Sequence, residues 1–145
     1  MRYVELPPAL PLRPYVACLW ALEDTPQPGG PAPEPVIPDG CMEIVFHAGA
    51  PFRRRALGEA ESGTQHRTAV VGQLDRTLVL EPTGPVRLIG VRLRPEGGAA
   101  LLGCAAAELA GTSVRLEDVW SRTARGVEER VYGAADASDA LAAVE

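Results

Sequence analysis

The stretch Val36-Ile-Pro-Asp-Gly-Cys-Met-Glu-Ile-Val-Phe-His-Ala-Gly-Ala-Pro51 decides the fold, because a turn signal leads directly into a strongly apolar segment. Proline presets φ for a turn and glycine accepts a positive φ, so Pro38-Asp39-Gly40 predicts a tight turn. Successive side chains of a strand point to opposite faces of its sheet. The segment therefore predicts a strand with two faces: Met42, Ile44 and Phe46 on one, and Cys41, Glu43, Val45 and His47 on the other.

The composition is that of one soluble globular domain. The chain has 145 residues, of which 46% are hydrophobic and 23% charged, enough apolar material for a core of its own. No apolar run approaches the roughly 20 residues of a membrane-spanning helix, and the N-terminus lacks the apolar segment of a signal peptide. We expect a single domain over residues 1–145 that is cytoplasmic and has no membrane partner.

The charge pattern excludes a nucleic-acid groove on this chain. The formal net charge is −5, and all 14 basic residues are arginines that are mixed with acidic residues in both halves. Binding a phosphate backbone requires a clustered basic face. We therefore expect no DNA contact from these residues themselves.

Signatures of catalysis and of metal binding are missing from the sequence. The only histidines are His47 and His66. The sequence contains neither the Gly-x-Ser-x-Gly motif of a nucleophile elbow nor a glycine-rich phosphate loop. The cysteines Cys18, Cys41 and Cys104 lack the close spacing of metal ligands, so each is interpreted as a small buried apolar residue. We expect no catalytic residue, no metal and no cofactor.

Strand patterns fill the first part of the chain and helical patterns the last third. Residues 24–35 are rich in proline and predict a loop that is mobile at Gly29-Gly30. Trp20 is expected to anchor the core. Apolar or alternating segments predict strands at residues 15–23, 42–47, 52–57, 68–72, 77–81 and 86–94.

After Pro95 the apolar period becomes helical. Gly103 is expected to end a first helix, Thr112 to cap another, and Asp136 or Ser138 to cap the last. The predicted class is α+β: a small β-barrel or cupin-like antiparallel half over about residues 14–94, and a helical part over 95–145. Because the last helix begins within ten residues of the end, and so short a helix is marginal alone, we expect the natural chain to continue.

Glu43 and the pair Arg92 and Arg94 form the most informative group of charges. All three lie on predicted core strands, where an unpaired charge is costly. We hypothesise an ion pair of Glu43 with Arg92 or with Arg94. The alternative is that these side chains lie on solvated faces.

Several motifs in one order resemble the N-terminal sensor domain of a subgroup of AraC-family transcriptional regulators. They are Tyr15-Val-Ala-Cys-Leu-Trp20, Ile37-Pro-Asp-Gly-Cys-Met-Glu-Ile-Val-Phe46, Val71-Gly72, Leu88-Ile-Gly-Val-Arg-Leu-Arg-Pro-Glu-Gly-Gly98, Leu101-Leu-Gly-Cys-Ala-Ala-Ala-Glu-Leu109 and Leu116-Glu-Asp-Val-Trp120. The resemblance implies a small-molecule effector, a homodimer, and DNA binding only through a double helix-turn-helix domain beyond residue 145, absent here. The His-x-His pattern of metal-binding cupins is also missing, so no metal is carried over.

Two sets of site residues follow as hypotheses. An apolar pocket with polar groups would be lined by Trp20, Met42, Glu43, Ile44, Phe46, His47 and Arg92; the same residues would otherwise form a solid core. A dimer interface would use Val119, Trp120, Val127 and Val131, a stripe that would otherwise be intramolecular core. The alternatives to a sensor are a pure dimerisation module without ligand and, less favoured, a cupin-like enzyme.

Overall fold

The computed structural model describes residues 1–24, 28 and 32–144, a region in which strands come first and helices follow. The predicted α+β class is therefore confirmed. A 3-10 helix, Leu10–Leu12, separates the first two strands. The strands are β1 (Arg2–Leu6), β2 (Val16–Asp24), β3 (Glu34–Val36), β4 (Glu43–His47), β5 (Arg53–Ala56), β6 (Gly63–Thr64), β7 (Thr68–Val71), β8 (Leu78–Glu81), β9 (Val86–Leu93) and β10 (Ser113–Arg115).

The strands form two antiparallel sheets. One has six strands in the order β1-β2-β9-β4-β7-β10, and the other has four in the order β3-β8-β5-β6. Within the described residues the two sheets do not join into a closed barrel. Side chains of both sheets meet in one apolar cluster, which includes Trp20, Val45 and Leu88 from the larger sheet and Leu80 from the smaller.

The predicted turn before β4 is confirmed. Gly40 has φ +77°, and the Asp39 Oδ1 atom accepts a hydrogen bond of 2.9 Å from the Cys41 backbone N–H. This local bond favours an aspartate at this position, because it stabilises the bend at Gly40 without a partner strand. The turn delivers β4 between β9 and β7, at the centre of the larger sheet.

The two faces of β4 belong to different cores, as the alternation predicts. Met42, Ile44 and Phe46 are buried in a cluster that contains the helices' apolar side chains. Val45 is buried in the cluster between the sheets. The larger sheet therefore separates a helix-covered core from an inter-sheet core.

The helices are α1 (Pro95–Leu102), α2 (Ala106–Leu109), α3 (Leu116–Trp120), α4 (Arg122–Gly133) and α5 (Ala137–Val144). Gly103 follows α1 with φ +73°, which confirms its predicted role at the helix end. Asp136 caps α5, since its Oδ1 atom accepts the Asp139 N–H at 2.9 Å. The predicted cap at Thr112 is wrong: β10 follows it, and its hydroxyl donates to the Leu109 carbonyl at 2.8 Å.

The prediction of a continuous loop over 24–35 is wrong at both ends. Asp24 belongs to β2, and Glu34 and Pro35 belong to β3. Pro35 is tolerated there because β3 is the edge of its sheet, where a missing N–H disrupts no ladder on the open side. The predicted mobility at Gly29-Gly30 lies outside the described residues.

The three cysteines differ in burial. Cys18 is buried as expected, whereas Cys41 and Cys104 are half-buried, so the expectation is wrong for these two.

Across residues 1–24, 28 and 32–144, no helix combines the length and the apolar character needed to cross a membrane.

The helical stripe that was a candidate dimer interface packs into the chain's own core. Val127 and Val131 are buried there, and Val119 and Trp120 are half-buried against the same cluster. The Trp120 Nε1–H donates to the Leu101 carbonyl at 3.3 Å. The chain's own core therefore covers most of the surface of these four side chains, as the intramolecular alternative expects, and the dimer interface stays a prediction.

Candidate functional site

A cavity of about 430 Å³ lies between the two sheets. This volume is within the range of about 300–1,000 Å³ that small-molecule sites occupy. Its wall is mainly apolar. The apolar wall includes Leu22, Val36, Val45, Phe52, Val71, Leu78, Leu80, Val86 and Leu88.

The larger sheet supplies one wall of the cavity, and three successive rows of residues lie on that face of the sheet. Residues that pair directly across antiparallel strands point to the same face, so the register of β2, β9, β4 and β7 defines the rows. Successive rows are two residues apart along each strand, or about 7 Å. The rows are Cys18, Arg92, Glu43 and Val71; then Trp20, Gly90, Val45 and Ala69; then Leu22, Leu88 and His47.

The first row carries the predicted ion pair, and the structure confirms it with Arg92. The Arg92 Nε–H donates to Glu43 Oε1 at 3.0 Å, with side chains 34% and 24% exposed respectively. Arg94 is not the partner, because its Nε–H donates to the Arg13 carbonyl at 2.6 Å. Burial raises the pKa of Glu43, and the charge and hydrogen bond of Arg92 oppose that rise. The pair gives the cavity one polar end in which opposite charges balance.

Trp20 forms the middle of this wall. Its indole lies over Gly90, where a Cβ would overlap the Cε2 and Cζ2 atoms of the ring, so glycine is needed for the indole to lie flat on β9. Tyr3 stacks on the other side, with the ring centroids 6.2 Å apart and the planes at 30°. Trp20 is only 8% exposed, which confirms it as a core residue, and its Nε1–H has no hydrogen-bond partner of good geometry among the described residues. A weaker interaction of this side chain with the Glu43 carboxylate lowers the pKa of Glu43.

His47 lies in the third row and is only 1% exposed. Neither ring nitrogen has a hydrogen-bond partner of good geometry among the described residues. Burial lowers the pKa of the imidazole to about 4, although the nearby Gln65 side chain acts in the opposite direction. The ring centroid is 5.4 Å from that of Phe52. At neutral pH the cavity therefore contains an uncharged imidazole that offers one N–H and one lone pair.

Three further titratable groups in or beside the wall, Tyr3, Cys18 and Cys41, are uncharged at neutral pH. Burial raises the pKa of Tyr3 to about 12, helped by its hydrogen bond to Glu5, which is 2.9 Å long. Burial also raises the pKa of the Cys18 and Cys41 thiols. A thiol acts as a nucleophile in its thiolate form, so these surroundings do not activate either cysteine.

The structure brings together four of the seven predicted pocket residues. Trp20, Glu43, His47 and Arg92 all line the cavity. The other three, Met42, Ile44 and Phe46, lie in the helix-covered core. The reason is strand periodicity: these residues alternate with Glu43 and His47, so one wall cannot contain both sets. The pocket hypothesis is corrected to one face of β4.

Sequence reasoning missed the wall on the opposite side of the cavity. Phe52 and the β8 residues Leu78 and Leu80 line it. A signal was present, since residues 77–81 were predicted as a short apolar strand. What the sequence does not contain is which sheet that strand joins, because pairing across long sequence separations leaves no local pattern.

A second depression, of about 450 Å³, lies near His66, Arg115 and Glu128. Its wall is formed largely by exposed side chains of both charges, and it offers a ligand less apolar surface than the cavity between the sheets does. No group of three or more His, Cys, Asp or Glu side chains suited to a metal ion occurs in the part of the chain that the structure describes.

Among the comparisons with known proteins, one family match covers most of the region that forms the cavity. Neither the curated proteins nor the solved structures contain a match to this chain. A family match covers residues 4–115, which include β2 to β10 and so both walls of the cavity, and it ends at the last residue of β10. By this match the chain belongs to the family described as "Domain of unknown function (DUF6597)".

Proposed function

We propose that this chain is the N-terminal ligand-sensing domain of an AraC-type transcriptional regulator. A small molecule binds between the sheets, and the C-terminal helices transmit its presence to a double helix-turn-helix domain. The chain acts by binding rather than by catalysis, and it works as part of a homodimer. The family resemblance described above supplies the regulator class, and the cavity supplies the site.

The observation that carries the proposal is the combination of apolar volume and unpartnered polar atoms. A solid core of the same residues would leave no space of about 430 Å³. Buried polar atoms without partners are rare in folded proteins, and a bound ligand or water is an ordinary explanation for them. Within the part of the chain that the structure describes, Trp20 Nε1 and both His47 ring nitrogens lack a partner of good geometry, and both residues line this cavity.

The position of β4 supports a route from the cavity to the helices. Glu43 and His47 line the cavity, and between them Phe46 points to the helix side. The Phe46 ring meets the Tyr132 ring of α4 edge to face, with the centroids 6.2 Å apart. The Tyr132 hydroxyl donates to the Arg67 carbonyl at 2.8 Å and lies 2.6 Å from the Thr68 hydroxyl at the start of β7. A shift of β4 or β7 on ligand binding therefore reaches α4 through direct contacts.

A thermal-shift screen of small metabolites tests the proposal. We expect at least one compound to raise the melting temperature in proportion to the logarithm of its concentration, because a ligand that binds only the folded state stabilises it. The variant Leu80→Trp places a larger side chain in the cavity wall and should abolish the response. The control Leu57→Trp changes an exposed residue and should keep it.

Two results would count against ligand sensing. One is a screen in which no compound stabilises the protein. The other is a stabilising compound that acts equally on the wild type and on Leu80→Trp while that variant remains folded, since such a compound would bind elsewhere.

A further inference from the structure

The half-buried charges of the cavity wall are already matched within the protein. Arg92 is paired with Glu43 at 3.0 Å, and Asp24 is paired with the amino group of Met1 at 3.1 Å. The remaining charged residues of the wall, Glu34 and Asp39, are acidic and exposed. An anionic ligand would meet no free cation here and would face an acidic rim. A cationic group could pair with Glu34 or Asp39 at the exposed rim, but deeper in the cavity it would have to compete with the cation already held by Glu43 or Asp24.

The unmatched groups of the interior are uncharged. The Trp20 indole can only donate a hydrogen bond, because the lone pair of its nitrogen is part of the aromatic ring system. Since its pKa is about 4, the His47 imidazole is neutral at physiological pH. The two residues lie in adjacent rows, with apolar side chains such as Val45, Val86 and Leu88 around them. A ligand that satisfies this wall needs an acceptor for the indole, and it can also exchange a hydrogen bond with the neutral His47 imidazole. The rest of its surface can be apolar.

We propose that the cavity takes an uncharged ligand that has an apolar body and a hydrogen-bond acceptor for the Trp20 Nε1–H. This inference rests on the proposed ligand-sensing function and adds the chemical class of the ligand. A carbonyl, an ether or a ring nitrogen meets the requirement. A carboxylate or an ammonium group on the same body does not.

The experiment uses matched probes. Benzene, indane and naphthalene each carry one of four groups: an acetyl, a methyl, a carboxylate or an aminomethyl group, the last being an ammonium at pH 7.5. Dissociation constants come from calorimetry and thermal shift with the whole chain. We expect the acetyl compound of at least one ring system to bind at least tenfold more tightly than its methyl, carboxylate and ammonium counterparts.

Variants of the two tryptophans identify the donor. Trp20→Phe keeps an aromatic ring and removes the N–H, so it should reduce the preference for acetyl over methyl to less than twofold. Trp120→Phe is the matched control, because the Nε1–H of Trp120 donates to the Leu101 carbonyl and Trp120 is not part of the cavity wall. That variant should keep the full preference.

A spectroscopic measurement keeps the test decisive if Trp20→Phe fails to fold. In the wild type, the indole N–H resonance of Trp20 should move downfield with the acetyl probe and stay in place with the methyl probe. A carboxylate or ammonium compound that binds as tightly as the acetyl compound would overturn the proposed ligand class and leave ligand sensing intact. An acetyl preference that survives in Trp20→Phe would overturn the assignment of the donor. Failure of all twelve compounds would overturn both the ligand class and the ligand-sensing function.

Discussion

At Glu43, burial and the Arg92 guanidinium act in opposite directions on one carboxyl group. Burial raises the pKa, and the charge of Arg92 together with its hydrogen bond lowers it. The carboxylate is therefore tolerated in the wall only because its partner is 3.0 Å away. Removing one partner of such a pair costs more than the pair contributes, since the other charge remains partly buried.

We predict that Arg92→Met lowers the free energy of unfolding by about 1–3 kcal/mol at pH 8. Solvent screening keeps the loss below that of a fully buried pair, because Arg92 is one third exposed. The loss should be smaller at pH 5, where the unpaired carboxyl of Glu43 can take up a proton. Urea denaturation at both pH values measures it.

The double variant Glu43→Gln/Arg92→Met should recover part of this loss. Arg76→Met is a control, because Arg76 and its partners Asp75 and Glu59 are exposed, and it should change stability little. Equal losses in Arg92→Met and Arg76→Met would show that the buried position of the first pair has no energetic consequence.

We predict that His47 makes the folded state sensitive to acid. Its pKa falls from 6.5 in the unfolded chain to about 4 in the folded protein, so the unfolded state binds the proton more readily. Stability from this group is complete above pH 6.5 and is lost as the pH falls towards 4, by roughly 3 kcal/mol in total. Denaturant unfolding at intervals from pH 7.5 to 4 measures the loss.

His47→Leu is the comparison that isolates this histidine. Other groups, including Glu43 with its raised pKa, contribute their own pH dependence to both proteins, and the difference between the two curves removes it. A constant difference between wild type and His47→Leu from pH 7.5 to 4 would contradict the burial of a neutral imidazole.

At the scale of single elements, α1 lies close to the chain just before β2 and to the end of β9. A Cβ on Gly97 would overlap the Pro14 carbonyl oxygen and come within 2.8 Å of Tyr15 Cα. A Cβ on Gly98 would come within 2.8 Å of Leu93 Cβ and 2.9 Å of Met42 Cε. Glycine is costly inside a helix, and here it allows the helix backbone to approach the sheet.

We predict that Gly97→Ala destabilises the protein by about 1–3 kcal/mol, because backbone atoms must move to admit the methyl group. Gly126→Ala in α4 should act in the opposite direction and stabilise by about 0.5–1 kcal/mol, since its Cβ meets only Arg130 Nη1 at 3.9 Å. Thermal or urea unfolding of the two variants measures both effects. A stabilising Gly97→Ala would show that α1 does not lie this close.

Individual strands and helix ends were predictable from the sequence wherever the signal was local. The Pro38-Asp39-Gly40 turn, the two faces of β4 and the end of α1 at Gly103 depend on residues adjacent in sequence. The edge strands β1, β3, β6 and β10 were not predicted. They are short or proline-containing, and they are strands because a partner strand is present.

The candidate site was predictable only in part, for the same reason. Glu43 and Arg92 are 49 positions apart, and their charge on apolar strands was enough to suggest a pair. Phe52 and Leu78 have no comparable sequence signal, because the same apolar residue types occur beside cavities and in solid cores. Only the folded structure shows that they line the same cavity as Trp20.

At the scale of the whole molecule, the larger sheet has a different neighbour on each side. The inter-sheet cavity lies on one side and the helices lie on the other. The family match ends at Arg115 and so leaves out α3, α4 and α5. In the proposed regulator, the matched region holds the ligand and the remaining helices transmit its effect.

We predict that this chain alone does not bind random duplex DNA at about 150 mM salt. Non-specific binding is driven by the counterions that DNA releases when a clustered basic face neutralises its phosphates. This chain has a net charge of −5, and its basic residues are mixed with acidic ones. Fluorescence anisotropy with a labelled duplex measures it. Binding that weakens steeply as salt is raised would contradict this prediction and would place a DNA contact on this chain itself.

The position of β4 between two cores makes the length of the preceding turn critical. Deleting one residue there, for example Cys41, would shift the strand by one position and exchange its faces. Glu43 and His47 would then point into the apolar layer beneath the helices, and Met42, Ile44 and Phe46 would enter the cavity. The local sequence would be almost unchanged, yet the cavity would lose two of its polar side chains and the helix-covered core would lose three of its apolar ones. Insertions and deletions at this turn should therefore be tolerated far less than substitutions at its exposed residues.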